Sequence, residues 1–309
     1  MRTVLMIDLN NMAIRALFSD REMINNPSPD FALHKHQLIN SIFNNIRKYQ
    51  PDEIILAIDD RKNWRKSVYA DYKANRKEKR DADIFPWDQY YAYMDEFLPT
   101  IKAIFPFKML QVPYCEADDT IAVIAKHLTT SKNIIITSDS DYIQLLKLPN
   151  VEIFDPFKNK VLTESDPHKC LMVKILSGDA GDNVPNIRPR LGPKTAEKIL
   201  ANNELEELLK DEELNKAFIR NRMLIDWDYI PNVAKKSILD AYNSYPALVQ
   251  VNAMQIMNFF INHRLRKLND DFGQIKNLIY RLYLKEEDYY KGELERPEKV
   301  DMEVYLMDR

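Results

Sequence analysis

The sequence predicts an α/β fold: a mainly parallel twisted sheet flanked by helices, followed by a smaller all-helical C-terminal domain. Three observations predict it. Short apolar runs rich in strand formers alternate with helical periods through the first half of the chain. Four of those runs end in acidic residues. Beyond about residue 165 the pattern is helical to the end. The expected division is therefore 1–165 and 166–309, and 309 residues suit about two domains.

The elements follow in order. "TVLMID" (3–8) is a buried-type strand ending at Asp8. A helix is expected near 34–50, where Leu38, Ile39, Ile42, Phe43 and Ile46 form one apolar face. "EIILAID" (53–59) is a second strand, ending at Asp59. Residues 87–104 are aromatic-rich with a helical period, and Pro99 is expected to kink that helix. "FKMLQV" (107–112) is a third strand, with "EADD" just after it. A helix over about 117–128 then places Ile121, Ile124, Ala125 and Leu128 on one face. "NIIITSDSD" (133–141) reads as a fourth strand, ending at Asp139 and Asp141. "VEIFDPFKNKVLT" (151–163) reads as a strand pair around a turn. Asp166 and Pro167 suit the N-cap and first position of a helix that stops at Gly178.

Composition excludes several function classes. Two cysteines, Cys115 and Cys170, give no disulfide framework and suit a reducing cytoplasm; both are expected to be buried small residues. No CxxC or HExxH points to zinc. No apolar run is long enough for a signal peptide or a membrane span, so a soluble cytoplasmic protein is expected. The net charge of -3 averages over an uneven pattern. "RKNWRKSVYADYKANRKEKR" (61–80) holds nine Lys/Arg against two acids. A basic stripe beside acidic clusters suggests a polyanion held close to bound cations. Arg65 and Lys66 in that stripe are expected to face nucleic acid.

In a parallel sheet the carboxyl ends of all four strands lie at one edge, where open α/β sheets bind ligands. Asp8, Asp59, the group Glu116, Asp118 and Asp119, and the pair Asp139 and Asp141 should therefore converge. Glu116 and Asp119 are spaced to share a helix face. Asp139 and Asp141 would share a side of an extended strand. A further pair, Asp179 and Asp182 in "GDAGDN", follows the helix that starts at Pro167. Taken singly, each motif also suits a helix start or a turn. Together, so many carboxylates need cations. Hard divalent ions with oxygen ligands fit, Mg²⁺ or Mn²⁺. Two such ions about 3.5–4 Å apart would clamp a phosphodiester for in-line hydrolysis. The basic stripe suits the same substrate.

"IDLNN", "AIDD", "DYKANR", "CEADD", "TSDSDYIQLL", "GDAGDNVP" and "GPKTAEKIL" occur in that order between about residues 3 and 201. This set resembles the structure-specific 5′ nuclease superfamily of flap endonucleases and 5′→3′ exonucleases. Within it, "RNRMLIDWDYIP" (220–231) and the overall length resemble the ribonuclease H group of T-even-type phages. The resemblance implies a PIN-like nuclease core with a helical arch or loop over about 61–85. It implies a helix-hairpin-helix-like DNA-binding element over about 183–201 in the helical domain. It also implies two Mg²⁺ ions, replaceable by Mn²⁺. Asp8, Asp59, Glu116, Asp118 and Asp119 would anchor the first, and Asp139, Asp141, Asp179 and Asp182 the second, directly or through water. Lys73 matches the arch lysine that contacts the scissile phosphate. Arg76 matches the arginine that stabilises transition-state charge. Tyr72 matches an aromatic position suited to base stacking. The duplex-gripping turn would use Gly192, Lys194 and Thr195. That turn is usually G-x-G-x-K in the family; here Arg190 stands at the first glycine and is expected to contact phosphate directly.

The function so implied is a divalent-metal-dependent 5′→3′ exonuclease and flap endonuclease, acting as a monomer in the cytoplasm, or the host cytoplasm if phage-encoded. Its substrates would be DNA with 5′ flaps or nicks and RNA–DNA hybrids, and its role RNA primer removal in replication. A single-strand-binding protein and a sliding clamp are partners expected of the family. The alternative is a catalytically inactive relative that binds branched DNA; all nine acids are present, which argues against it. An aspartyl-phosphate phosphatase would need D-x-D-x-T after the first strand, where the chain has Asp8-Leu9-Asn10-Asn11-Met12.

Overall fold

The computed structural model describes residues 1–19, 25–26, 29–246 and 250–290. The sequence also offers the charged, Tyr-bearing segment from Lys285 on as a surface that could meet a protein partner; beyond residue 290 it lies outside the described residues. Among the described residues, no helix is long and apolar enough to cross a membrane.

Six strands form one sheet in the order β3-β2-β1-β4-β5-β6. They are β1 (Thr3–Asp8), β2 (Glu53–Ile58), β3 (Lys108–Gln111), β4 (Lys132–Ile136), β5 (Val151–Asp155) and β6 (Lys160–Leu162). The first five run parallel, and β6 pairs antiparallel with β5. β1 is nearly all apolar because both sheet faces are covered. Strand order reverses at β1, which pairs with β2 on one side and β4 on the other. The carboxyl ends flanking that reversal are where such sheets open a crevice.

The helices of the first half are α1 (Leu9–Phe18), α2 (Ala32–Tyr49), α3 (Arg65–Val68), α4 (Ala74–Asp81), α5 (Trp87–Ile104, containing Pro99) and α6 (Ala117–His127). Those of the second half are α7 (Pro167–Ser177), α8 (Pro193–Ala201), α9 (Leu205–Leu208), α10 (Glu212–Ile225), α11 (Asn232–Asn243), α12 (Ala253–Asn262), α13 (Arg266–Asp270) and α14 (Phe272–Tyr290).

Alternation along the strands builds two cores. Leu5, Ile7, Leu56 and Ile134 face one side and pack with α2, α5 and α12–α14. Val4, Met6, Ile55 and Ile135 face the other and pack with α6 and α11. The helices after residue 225 therefore return to cover both faces of the sheet. A third core, around Leu171, Ile175, Leu191, Ala196 and Phe218, joins α7, α8 and α10.

Two local expectations are corrected. The fourth strand does not run to Asp141: it stops at Ile136, and Ser140–Lys147 form a 3₁₀ helix. Asp139 is its N-cap and accepts from the Asp141 N–H at 2.9 Å, so capping wins over extension. Cys115 is buried, but Cys170 is exposed on the outer face of α7.

Candidate active site and metal centre

The strand ends are stitched together by the asparagines of "IDLNN". Asp8 caps α1: its Oδ1 accepts from the Asn11 N–H at 3.0 Å, and Tyr142 donates its hydroxyl to Oδ2 at 3.2 Å. Asn10 Oδ1 accepts from the Asp59 N–H at 2.9 Å, tying the end of β1 to that of β2. Asn11 Oδ1 accepts from the Ser138 N–H at 3.0 Å, which reaches the end of β4. Asp59 in turn accepts from the Ala117 N–H at 2.8 Å, in the first turn of α6. Four acids thereby converge: Asp8, Asp118, Asp139 and Asp59 all act electrostatically on the buried Tyr142 hydroxyl and help raise its pKa, after burial itself.

Their charge is unevenly compensated. Asp8 is 7% exposed, and burial pushes its carboxyl up to about 7, with Asp59 and Asp139 adding repulsion. Burial and Glu116 raise Asp59, and the same two causes raise Asp118 well above the usual carboxylate range. Among the described residues no lysine or arginine forms an ion pair with these three. Glu116 behaves oppositely. Burial would raise it, but Lys73 and Arg65 outweigh burial and hold it down to about 2.

Asp119 is fully buried and its acceptors are taken. Arg65 grips it bidentately at 2.7 and 2.9 Å, Trp64 donates its indole N–H at 2.9 Å, and the Glu116 N–H donates at 3.1 Å. The carboxylates of Glu116, Asp118 and Asp119 come within 4.8 Å of one another. Asp119 nonetheless acts here as the clasp that sets the first turn of α6, leaving Asp118 turned to the cleft.

Two expected nucleic-acid contacts are corrected. Arg65 is 2% exposed; besides Asp119 it bonds Glu116 at 3.1 Å and the Leu224 carbonyl at 2.8 Å. It links α3, α6 and α10 rather than reaching for phosphate. Tyr72 is 3% exposed, with its ring in the third core and its hydroxyl 3.0 Å from Glu116 and 2.9 Å from Asp182. No face of it is free to stack a base. A charge run hides such residues, because tertiary partners decide which cations point inward.

The arch basics sit at the acids. Lys73 pairs with Glu116 and lies 3.6 Å from Asp182; Arg76 pairs with Asp182. Lys73 adopts a left-handed conformation, φ 58°, and its N–H donates to the Asp182 carbonyl at 2.8 Å. Sequence reading missed Lys174. It pairs with Asp141 and, at 2.7 Å, with Asp179, holding two acid motifs together.

The Asp179–Asp182 loop is fixed by Gly178, φ +72°. A Cβ there would meet Val184 O at 2.4 Å and Pro185 C at 2.5 Å, so no other residue fits. Backbone bonds of 2.8 Å in both directions between Asp179 and Val184 close the loop. Asp60, beside Asp59, accepts from the Tyr114 N–H at 2.8 Å, a turn-forming role.

Lys66, Arg190 and Lys194 are exposed, and Gly192 and Thr195 half-buried. Gly192 is the N-cap of α8 and Pro193 opens it. Arg190 holds φ 62°, the left-handed conformation a glycine would adopt more cheaply.

The donor set fits a hard divalent cation. It offers only carboxylate oxygens; no cationic side chain offsets Asp8, and at Asp59 and Asp118 burial and Glu116 outweigh the nearby Lys73, Arg76 and Arg65. Asp8, Asp59, Glu116 and Asp118, with Asp139 in the turn after β4, are the carboxylates such an ion could take as ligands.

Comparison with known proteins identifies the family. Residues 3–173 match the family model "5'-3' exonuclease, N-terminal resolvase-like domain", and residues 165–275 match "T4 RNase H, C terminal". Ribonuclease H of Enterobacteria phage T4 is 29% identical over 299 residues, covering 88% of this chain and 95% of that protein. Flap endonuclease Xni of Shewanella loihica is 31% identical over 169 residues, covering 50% of this chain and 60% of that protein. Among solved structures, the bacteriophage T5 flap endonuclease in a pseudo-enzyme-product complex with DNA and metal ions superposes with a TM-score of 0.60 at 18% identity. The match covers 89% of this chain and 100% of that one.

Proposed function

We propose, from the premise that this chain belongs to the 5′-3′ exonuclease family, that it cuts 5′ flaps and removes RNA primers from DNA using two Mg²⁺ ions. The observation that carries the metal requirement is the charge balance of the cleft. Nine carboxylates face four cationic side chains, Arg65, Lys73, Arg76 and Lys174. Two divalent ions would offset most of the excess, with Mn²⁺ able to replace Mg²⁺. When bound, the ions supply Lewis-acid stabilisation of phosphoryl charge and a nucleophile at neutral pH.

The chain's own residues do the rest. Asp8, Asp59, Glu116 and Asp118 would hold the first ion, and Asp139, Asp141, Asp179 and Asp182 the second, directly or through water. Arg65 and Asp119 keep α6 in register with the cleft. Lys73 and Arg76 are cations already poised on Glu116 and Asp182. From those positions both side chains are within reach of a phosphate in the cleft, where they would hold it and stabilise its developing charge.

Arg190, Lys194 and the N-terminus of α8 grip the backbone of the adjoining duplex. Arg190→Ala is expected to weaken duplex binding uniformly across sequences and lower the salt slope by about 1. Salt-dependent binding titrations check it; unchanged affinity and slope would remove Arg190 from the interface.

The whole reading is tested by end-labelled 5′ flap, nicked duplex and RNA–DNA hybrid, each with Mg²⁺ and with chelator. Cleavage with Mg²⁺ alone, leaving 5′-phosphate products, is expected. No cleavage of any of the three would favour a branched-DNA-binding protein instead.

A further inference from the structure

An exposed aromatic group lies at the far end of α1 from the acids. α1 begins at Asp8, its N-cap, and its solvent face carries Asn11, Arg15 and Phe18 at helical spacing. Arg15 donates Nε–H to Ser138 Oγ at 2.9 Å, next to Asp139, while its guanidinium remains exposed. Phe18 is 47% exposed and sits 6.2 Å, centroid to centroid, from Trp87. Trp87 is 6.0 Å from Tyr91 at an interplanar angle of 30°. Tyr91 is 40% exposed, and Arg80, from the end of α4, donates to its hydroxyl at 2.8 Å.

Large exposed rings on a folded surface call for an explanation. Trp87 is half-buried between the exposed rings of Phe18 and Tyr91; Phe85 packs against it at 5.0 Å, and its indole N–H donates to Asp83 at 3.2 Å. The rings are flanked by Arg15 on the acid side and Arg80 on the other. Asp83 and Asp88 lie close by in sequence, so attraction at this patch rests on ring faces more than on net charge. Rings with arginines at either end suit one occupant, a single strand whose bases stack while its phosphates meet the arginines. The face is continuous with the strand-end acids through α1, so that strand would be the one leaving the cleavage point.

We propose that Phe18, Trp87 and Tyr91, with Arg15 and Arg80, form a base-stacking track for the 5′ single strand of a flap substrate. This rests on the flap-nuclease reading above. The track takes a few nucleotides, since α1 is about 15 Å long. It recognises bases without regard to sequence, because every base has a π-face.

The test measures binding in chelator, where failure to cleave plays no part. The full chain is titrated with a duplex bearing a six-thymidine 5′ flap, with the same duplex bearing an abasic flap of equal length, and with the flapless nick. The thymidine flap should bind at least roughly tenfold tighter than the abasic one. Phe18→Ser with Tyr91→Ala should abolish that ratio. Equal binding of thymidine and abasic flaps by the wild-type chain would overturn the track, whatever the variants do. So would an unchanged ratio in the double variant. Cleavage with Mg²⁺, measured separately, reports on the nuclease reading alone.

Discussion

Asp8→Asn is expected to lower Mg²⁺-dependent cleavage by at least about a thousandfold while raising the melting temperature in chelator at pH 8. The first effect follows from losing a carboxylate proposed to hold the ion, since metal stabilisation of phosphoryl charge is worth several kcal/mol. The second follows from burial. Asp8 is 7% exposed, its carboxyl is pushed up to about 7, and at pH 8 it is held ionised at a cost. Asparagine keeps an oxygen for the Asn11 N–H and removes the charge. The gain should be about 1–2 kcal/mol, in the usual range for relieving a functionally strained site. Activity assays and melting curves on the same preparation check both halves; a fall in both would make Asp8 a structural residue.

Arg65→Ala is expected to cost about 3–5 kcal/mol of stability, because it strands Asp119 as a buried charge without its partner. For a chain of this size that is on the order of 10 °C in melting temperature. The bidentate grip on Asp119, the bond to Glu116 and the bond to the Leu224 carbonyl are lost together. Arg65→Lys keeps one charge but not the planar fork, so it should recover only part of the loss. Denaturant unfolding of both variants measures this. A loss below about 1 kcal/mol in the alanine variant, the surface-pair range, would contradict the buried clasp.

The acids were legible because one lies at or within a few residues of the carboxyl end of each of β1 to β4, and parallel pairing brings those ends to one edge. Asp8, Asp59, Glu116 and Asp139 needed nothing more than that. The division of labour among them was hidden. Spacing put Glu116 and Asp119 on one face, yet Arg65 claims Asp119, and Arg65 comes from a charge run whose other members look the same in sequence. Tyr72 reads as a stacking ring until its core neighbours in α7 and α8 are known. Asp141 reads as the last residue of a strand, but Asp139 beside it is a capping residue and turns the chain. Lys174 carries no local mark, because its two partners are 33 residues and one tight loop away.

The pH dependence of ion binding follows from the same site. Asp8 rises from 3.8 to about 7 on folding, so without ions its contribution to stability is full below about 4 and is lost as pH rises towards 7. Asp59 and Asp118 are raised too and act in the same direction. Glu116, held down to about 2, works the opposite way, losing its contribution only in acid. A cation that takes the proton's place restores what rising pH removes.

The central claim is that Asp8, Asp59 and Asp118 are carboxylates whose ionised form is destabilised by burial and by neighbouring acids, and which a divalent cation would stabilise. The shift in melting temperature on adding saturating Mg²⁺, measured at pH 5.5 and at pH 8, tests it most directly. The shift should be clearly larger at pH 8 and nearly vanish in a chain carrying both Asp8→Asn and Asp118→Asn. An equal shift at both pH values that survives in the double variant would contradict it.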